Sequence, residues 1–143
     1  MSEAPSADRL QQEWLERLSD LVQTVKDWAV KLDWSARQIE LTKEDSTVGK
    51  YQAPALLLQK EATRVLLEPI ARSAPGVNGV VDLYVMPAYD DIANLYLVGH
   101  QWYLRYLSPR TIDEGTARET EDRPLTEQTF CEVLDEMSKH AVY

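Results

Sequence analysis

VVDLYVMPAYDDIANLYLVGHQWYLRYL, residues Val80–Leu107, is the stretch whose reading decides the fold. Three runs rich in aliphatic and aromatic residues lie in it: Val80–Ala88, Ile92–Val98 and Gln101–Leu107. Their composition suits strands. The links, near Asp90-Asp91 and at Gly99-His100, are short enough for hairpins, so the three predict an antiparallel meander. A two-residue turn at Gly99-His100 sets Val98 against Gln101, Tyr96 against Tyr103 and Asn94 against Arg105 on one side. Leu97 with Trp102, Leu95 with Leu104 and Ala93 with Tyr106 form the other. Carried across Asp90-Asp91, the same register joins Met86 to Leu95 and Tyr84 to Leu97. It joins Val85 to Tyr96 and Leu83 to Val98. The Trp102 side is apolar nearly throughout and is the predicted core side. The Tyr96 side carries Val81, Leu83, Val85, Pro87, Ile92, Tyr103 and Leu107, interrupted by Asn94, Gln101 and Arg105. A sheet wetted on one side alternates more cleanly than this.

Upstream, Arg37, Ile39 and Leu41 alternate with other residues as in a strand. Glu44-Asp45-Ser46 reads as a turn. A second strand falls within Tyr51–Gln59, where Pro54 predicts an edge or a bulge. Thr63–Glu68 gives a third, and residues 69–79 read as a loop, with or without one helical turn. Before the strands, Leu10, Trp14, Leu18, Leu21, Val25, Trp28 and Leu32 recur at steps of three and four, the pattern of an amphipathic helix. Asp8 is the predicted N-cap, answered by Gln11, and the helix ends near Leu32 and Asp33. Ser108–Pro124 is polar and reads as a long, partly mobile connection. A last helix starts at Thr126, stapled by Leu125 and Phe130, with Phe130, Val133, Leu134, Met137 and Ala141 on one face. The fold class expected is therefore α+β: a long N-terminal helix, an antiparallel sheet of five to six strands and a C-terminal helix. Residues 1–7 are expected as a mobile tail, and 8–143 as a single domain with a polar loop at 108–124.

The 143 residues are enough to bury a core without disulfide or metal. A single cysteine, Cys131, forms no internal disulfide, and the start has no basic end followed by an apolar run. No apolar stretch approaches the ~18 residues of a membrane span. These features predict a cytoplasmic protein. The net charge of −9 opposes binding to nucleic acid and to anionic membranes and favours solubility.

No motif carries chemistry. Asp82, Asp90 and Asp91, with Glu68 as a neighbour, are the carboxylates that could gather in the sheet, but Asp90-Asp91 suits a turn. Asp82, on the side read as core, needs a partner or water. A nuclease-like metal site lacks its lysine, because none follows Lys60 before Lys139. His100 falls in a hairpin turn and His140 near the C-terminus, neither with metal-ligand spacing. Cys131 reads as a small buried residue. No glycine-rich loop opens a helix. No catalytic residue, metal or cofactor is assigned. The run of Trp102, Tyr103, Arg105 and Tyr106 could stack on bases or prolines, but its alternation suits a core strand better.

Both sheet faces ask for cover, which two helices provide if one lies on each side. If both pack on the Trp102 side, an aromatic face is left for a partner. The functional expectation is a non-catalytic interaction or adaptor domain, with Val85, Tyr96, Tyr103 and Arg105 as its contacts. Its partner is another protein or a second copy. In size, charge and helix–sheet–helix layout the chain resembles the small acidic type III secretion chaperones, through gross features and no motif. That resemblance implies a dedicated chaperone as one alternative. The other is an enzyme or small-ligand binder with a pocket between helix and sheet, lined by Asp82, Tyr84 and His100 with Arg105 beside them.

Overall fold

The computed structural model describes residues 6–87, 91–106 and 122–140. Helix α1 (Ala7–Lys31) is followed by strands β1 (Ser35–Asp45), β2 (Gly49–Lys60), β3 (Thr63–Ala71), β4 (Gly79–Val85), β5 (Ile92–Val98), β6 (Gln101–Tyr106) and β7 (Arg123–Pro124). Helix α2 (Glu127–His140) closes the order. The strands form one antiparallel sheet in which spatial order equals chain order, β1 to β7. The α+β layout expected from the sequence is present, with seven strands among the described residues rather than five or six. Residues 1–5 of the expected tail, most of the expected 108–124 loop, and Ala88, Asp90, Leu107 and Ala141 lie outside the described residues. Among the described residues, no helix is long and apolar enough to cross a membrane.

Helix α1 starts two residues earlier than its sequence suggests. Ser6, not Asp8, is the N-cap, and its side chain accepts the Arg9 N–H at 3.2 Å. Asp8 instead supplies a negative charge in the first turn, where it favours the helix dipole. At the far end Asp33 takes a left-handed φ of 67° just past the C-cap Leu32 and turns the chain into β1. The apolar stripe of α1 is buried as its spacing predicts: Trp14, Leu18, Leu21, Val22, Val25 and Ala29.

Helix α2 is capped by a reciprocal pair. The Thr129 N–H donates to Thr126 Oγ1 at 3.1 Å, and the Thr126 N–H donates to Thr129 Oγ1 at 2.8 Å. Leu125, ahead of the cap, packs against the core that encloses Phe130. Phe130, Val133, Leu134 and Met137 then share that core with the α1 stripe, and the Trp28 and Phe130 rings lie 5.7 Å apart. Both helices therefore cover one sheet face. Its strand contribution includes Leu56, Leu58, Val65, Leu67, Val81, Leu83, Leu95 and Leu104. Fully burying one such side chain contributes about 1.5–3 kcal/mol.

The β5–β6 register is the predicted one: Val98↔Gln101, Tyr96↔Tyr103 and Asn94↔Arg105. The β4–β5 register is not. Tyr84 pairs with Ile92, Asp82 with Asn94 and Val80 with Tyr96. The strand ends at Val85, whose N–H donates to Asp91 O at 3.1 Å, so Met86 and Pro87 do not continue it. A change of odd parity in a period-two strand exchanges its faces. Val85 accordingly packs against the helix-side core and does not join Tyr96, while Asp82 and Tyr84 move to the Tyr96 side. Farther back, β2 pairs with β3 only from Leu56↔Leu67 to Lys60↔Thr63. Pro54 lies where β2 has already left β3, a position at which a missing N–H is tolerated.

Candidate interaction face

The face opposite the helices is built row by row from cross-strand partners. The first row is Leu57, Leu66, Tyr84 and Ile92. The second is Glu68, Asp82, Asn94 and Arg105. The third is Val80, Tyr96, Tyr103 and Pro124. Val98 and Gln101 follow. A polar row thus crosses four strands between two apolar rows. Among the described residues no helix lies over it.

In the third row the Tyr96 and Tyr103 rings stack, with centroids 5.7 Å apart and planes 18° from parallel. Beside them Val98 is 43% exposed, among the most exposed large hydrophobic residues of those described. Arg105 and Asp122 hold one another through two bonds, Nε to Oδ1 at 2.7 Å and Nη2 to Oδ2 at 3.2 Å. This forked geometry fixes the planar guanidinium. Hydrogen bonds from Arg105 and then Tyr96 hold the Asp122 carboxyl below its usual range. Burial and the bond to Asp122 push the Tyr96 phenol up to about 12.

The polar row is satisfied along its length. Asn94 Nδ2 donates to Asp82 Oδ1 at 2.8 Å, which answers the need of a carboxylate only 7% exposed. Glu68 accepts from the Lys43 ammonium and from Tyr84 Oη, the latter at 2.7 Å. Burial alone raises the Glu68 carboxyl, but those two hydrogen bonds outweigh it, and the group sits below its ordinary value. Burial and the bond to Glu68 push Tyr84 up to about 12. Such an arrangement presents fixed charges and dipoles. It pairs no nucleophile with a base, and among the described residues no group of three or more metal-ligating side chains gathers.

Of the residues singled out from the sequence, Tyr96, Tyr103 and Arg105 come together here and Val85 does not. Asp82 and Tyr84 also belong to this face, away from the helices. His100 is elsewhere, in the β5–β6 turn, where Arg17 Nη2 lies 2.6 Å from its Nδ1. The predicted pocket of Asp82, Tyr84 and His100 is therefore not assembled. Asp91 is 5% exposed and accepts from the Tyr106 phenol at 2.8 Å, so it braces the end of β6. Burial, then that bond, pushes the Tyr106 phenol upward. Cys131 is half-buried on α2, and burial followed by Glu127 pushes its thiol up, away from nucleophilic character. The sequence reading missed Lys43 altogether. Its signal would have been the β1–β2 hairpin returning a cation toward the Glu68–Asp82 pair.

No family model, curated protein or solved structure matches this chain.

Proposed function

We propose that the chain is a non-catalytic interaction domain whose contact surface is the sheet face opposite the helices, and that a second copy of the chain is its simplest partner. The observation that carries this reading is the packing of both helices on one side, which leaves the stacked Tyr96–Tyr103 pair beside exposed Val98 on the other. Rigid aromatic pairs lose little side-chain entropy on contact, and tyrosine is enriched at protein interfaces. The polar row supports self-pairing. It reads Glu68, Asp82, Asn94, Arg105 and carries an ion pair at each end, Lys43–Glu68 at one and Arg105–Asp122 at the other. A two-fold axis through its centre sets Arg105 of each copy over Glu68 of the other, the self-complementarity an isologous contact needs.

The test is mass by light scattering over a concentration series. The wild type is expected to gain mass toward a dimer as concentration rises. Tyr96→Glu with Tyr103→Glu is expected to stay monomeric with an unchanged far-ultraviolet dichroism spectrum. A wild type that stays monomeric at every concentration, or a double variant that still dimerises, overturns the self-association reading.

A further inference from the structure

A second surface, on the helix side of the sheet, is independent of that face. Between the N-terminal half of α1, the connection at residues 72–78 and the β5–β6 turn lies a cleft of about 190 Å³. Arg17, Arg72, Asn78 and His100 line it over a floor that includes Trp14. In a chain with 24 acids against 15 lysines and arginines, Arg17 is hydrogen-bonded not to a carboxylate but to an imidazole. An arginine has no acceptor and never deprotonates in proteins, so it must be the donor. His100 Nδ1 is then the acceptor, and its neutral ring carries its proton on Nε2 as a further donor. Asn78 Oδ1 is occupied by the Gly99 N–H at 2.9 Å, which leaves the amide NH₂ to donate. The Arg72 backbone is fixed by Asp45 Oδ2 at 3.0 Å. Two acids bear on the cleft. Glu13 lines it and is paired with Arg9 at 3.4 Å, and Asp45 feels the Arg72 charge.

A cleft of about 350 Å³ adjoins the first and shares Arg17 and His100 with it. Its walls combine apolar and aromatic Leu21, Trp28, Trp102 and Leu125 with polar Thr24 and Gln101 and one further acid, Asp20. The Arg17–His100 bond stands at the junction. One lobe offers guanidinium, imidazole and amide N–H groups. The other offers, among its polar residues, the aromatic and aliphatic surface of Trp28, Trp102, Leu21 and Leu125, of the kind that buries a ring.

We infer that this double cleft binds a small aromatic anion, its carboxylate or phosphate held by Arg17, Arg72, Asn78 and His100 and its ring laid against Trp102 and Trp28. Bidentate guanidinium recognition suits either oxyanion. Neither Tyr96 nor Tyr103, the residues changed in the dimer test, lines either cleft, and Gln101 alone borders both surfaces, so the two tests fail separately.

The experiment is a ¹H–¹⁵N titration of the full chain at constant ionic strength. Its probes are phenyl phosphate, benzoate, inorganic phosphate and, as a neutral control, benzyl alcohol. Phenyl phosphate or benzoate is expected to move the Gly99 and Asn78 amides and the Trp102 indole saturably. Inorganic phosphate is expected to bind more weakly and to leave the indole unmoved. Each of Arg17→Gln and Arg72→Gln is expected to weaken the aromatic anion about tenfold, the loss of one charge-assisted bond. Arg9→Gln, outside the cleft, is expected to change nothing. Near-ultraviolet dichroism of the tryptophans reports whether each variant keeps its fold. The two arginine variants act from different elements, so failure of one to fold leaves the other as the test. No saturable local shift, equal affinity in a folded arginine variant, or benzyl alcohol binding as well as benzoate overturns the inference.

Discussion

Gly79 begins β4 directly beneath Trp14. A Cβ placed on it would lie 2.4 Å from the indole ring. The ring has little room to yield, because Trp14 is buried and its Nε1 donates to Tyr51 Oη at 2.9 Å. Gly79→Ala is therefore expected to destabilise the fold by about 1–3 kcal/mol through overpacking, read as a lower urea midpoint. The same change at Gly49, where a Cβ would meet nothing within 4 Å, tests a different cost, because its φ is +77°. Glu68 makes a prediction in pH. Its carboxyl sits below the ordinary 4.5 in the folded chain. It therefore contributes stability that is fully present above 4.5 and is lost as pH falls through the folded value. Urea denaturation over a pH series should show the wild type losing its advantage over Glu68→Gln across that window. A constant difference between the two down to low pH would contradict the assignment.

Helix α2 is held by one aromatic and one cap. Phe130 is fully buried against Trp28 of α1, so Phe130→Ala is expected to cost about 3–5 kcal/mol. Thr126→Ala, which removes the acceptor for the Thr129 N–H, is expected to cost about 1 kcal/mol. Equilibrium denaturation measures both, and the ratio between them separates core from cap. Elements of this kind are legible in sequence because capping residues, stripe and staple lie within one turn of each other. Hairpin β5–β6 is legible for a similar reason: a two-residue turn leaves one register for two alternating strands. The β4–β5 pairing was hidden because Met86 and Pro87 look like strand but lie beyond its end. Alternation then assigns every β4 side chain to the wrong face, and Val85, Asp82 and Tyr84 exchange surroundings. The Glu68–Asp82–Asn94–Arg105 row needs three registers correct at once, one of them across the connection at 72–78. No local signal reaches that far. The outer strand β1 is different again. Among the described residues it pairs only with β2, and Arg37, Glu40, Lys43 and Glu44 along it guard a long edge against unwanted pairing.

Across the whole molecule, a net charge of −9 opposes any meeting of two copies. Added salt screens that repulsion over roughly 10 Å at ~0.1 M. If the Tyr96 face joins two chains, their association should strengthen between low and moderate ionic strength, whereas contacts dominated by Arg105 and Glu68 would weaken. Sedimentation over a salt series distinguishes the two, and the apolar character of the Tyr96–Tyr103–Val98 patch predicts the first.

The order of the sheet also governs how the protein is born. Each strand finds its neighbour in the residues that leave the ribosome immediately afterwards, so hairpins can zip up in sequence without waiting. Helix α1 has no such luck. It emerges before everything else described here, yet Trp102 and Phe130, which close over its tryptophans, arrive last. Until they arrive, the part of its stripe around Trp28 stands uncovered, an invitation to holding factors. Nascent chains stalled after β4 should be captured by them, and chains released after α2 should not.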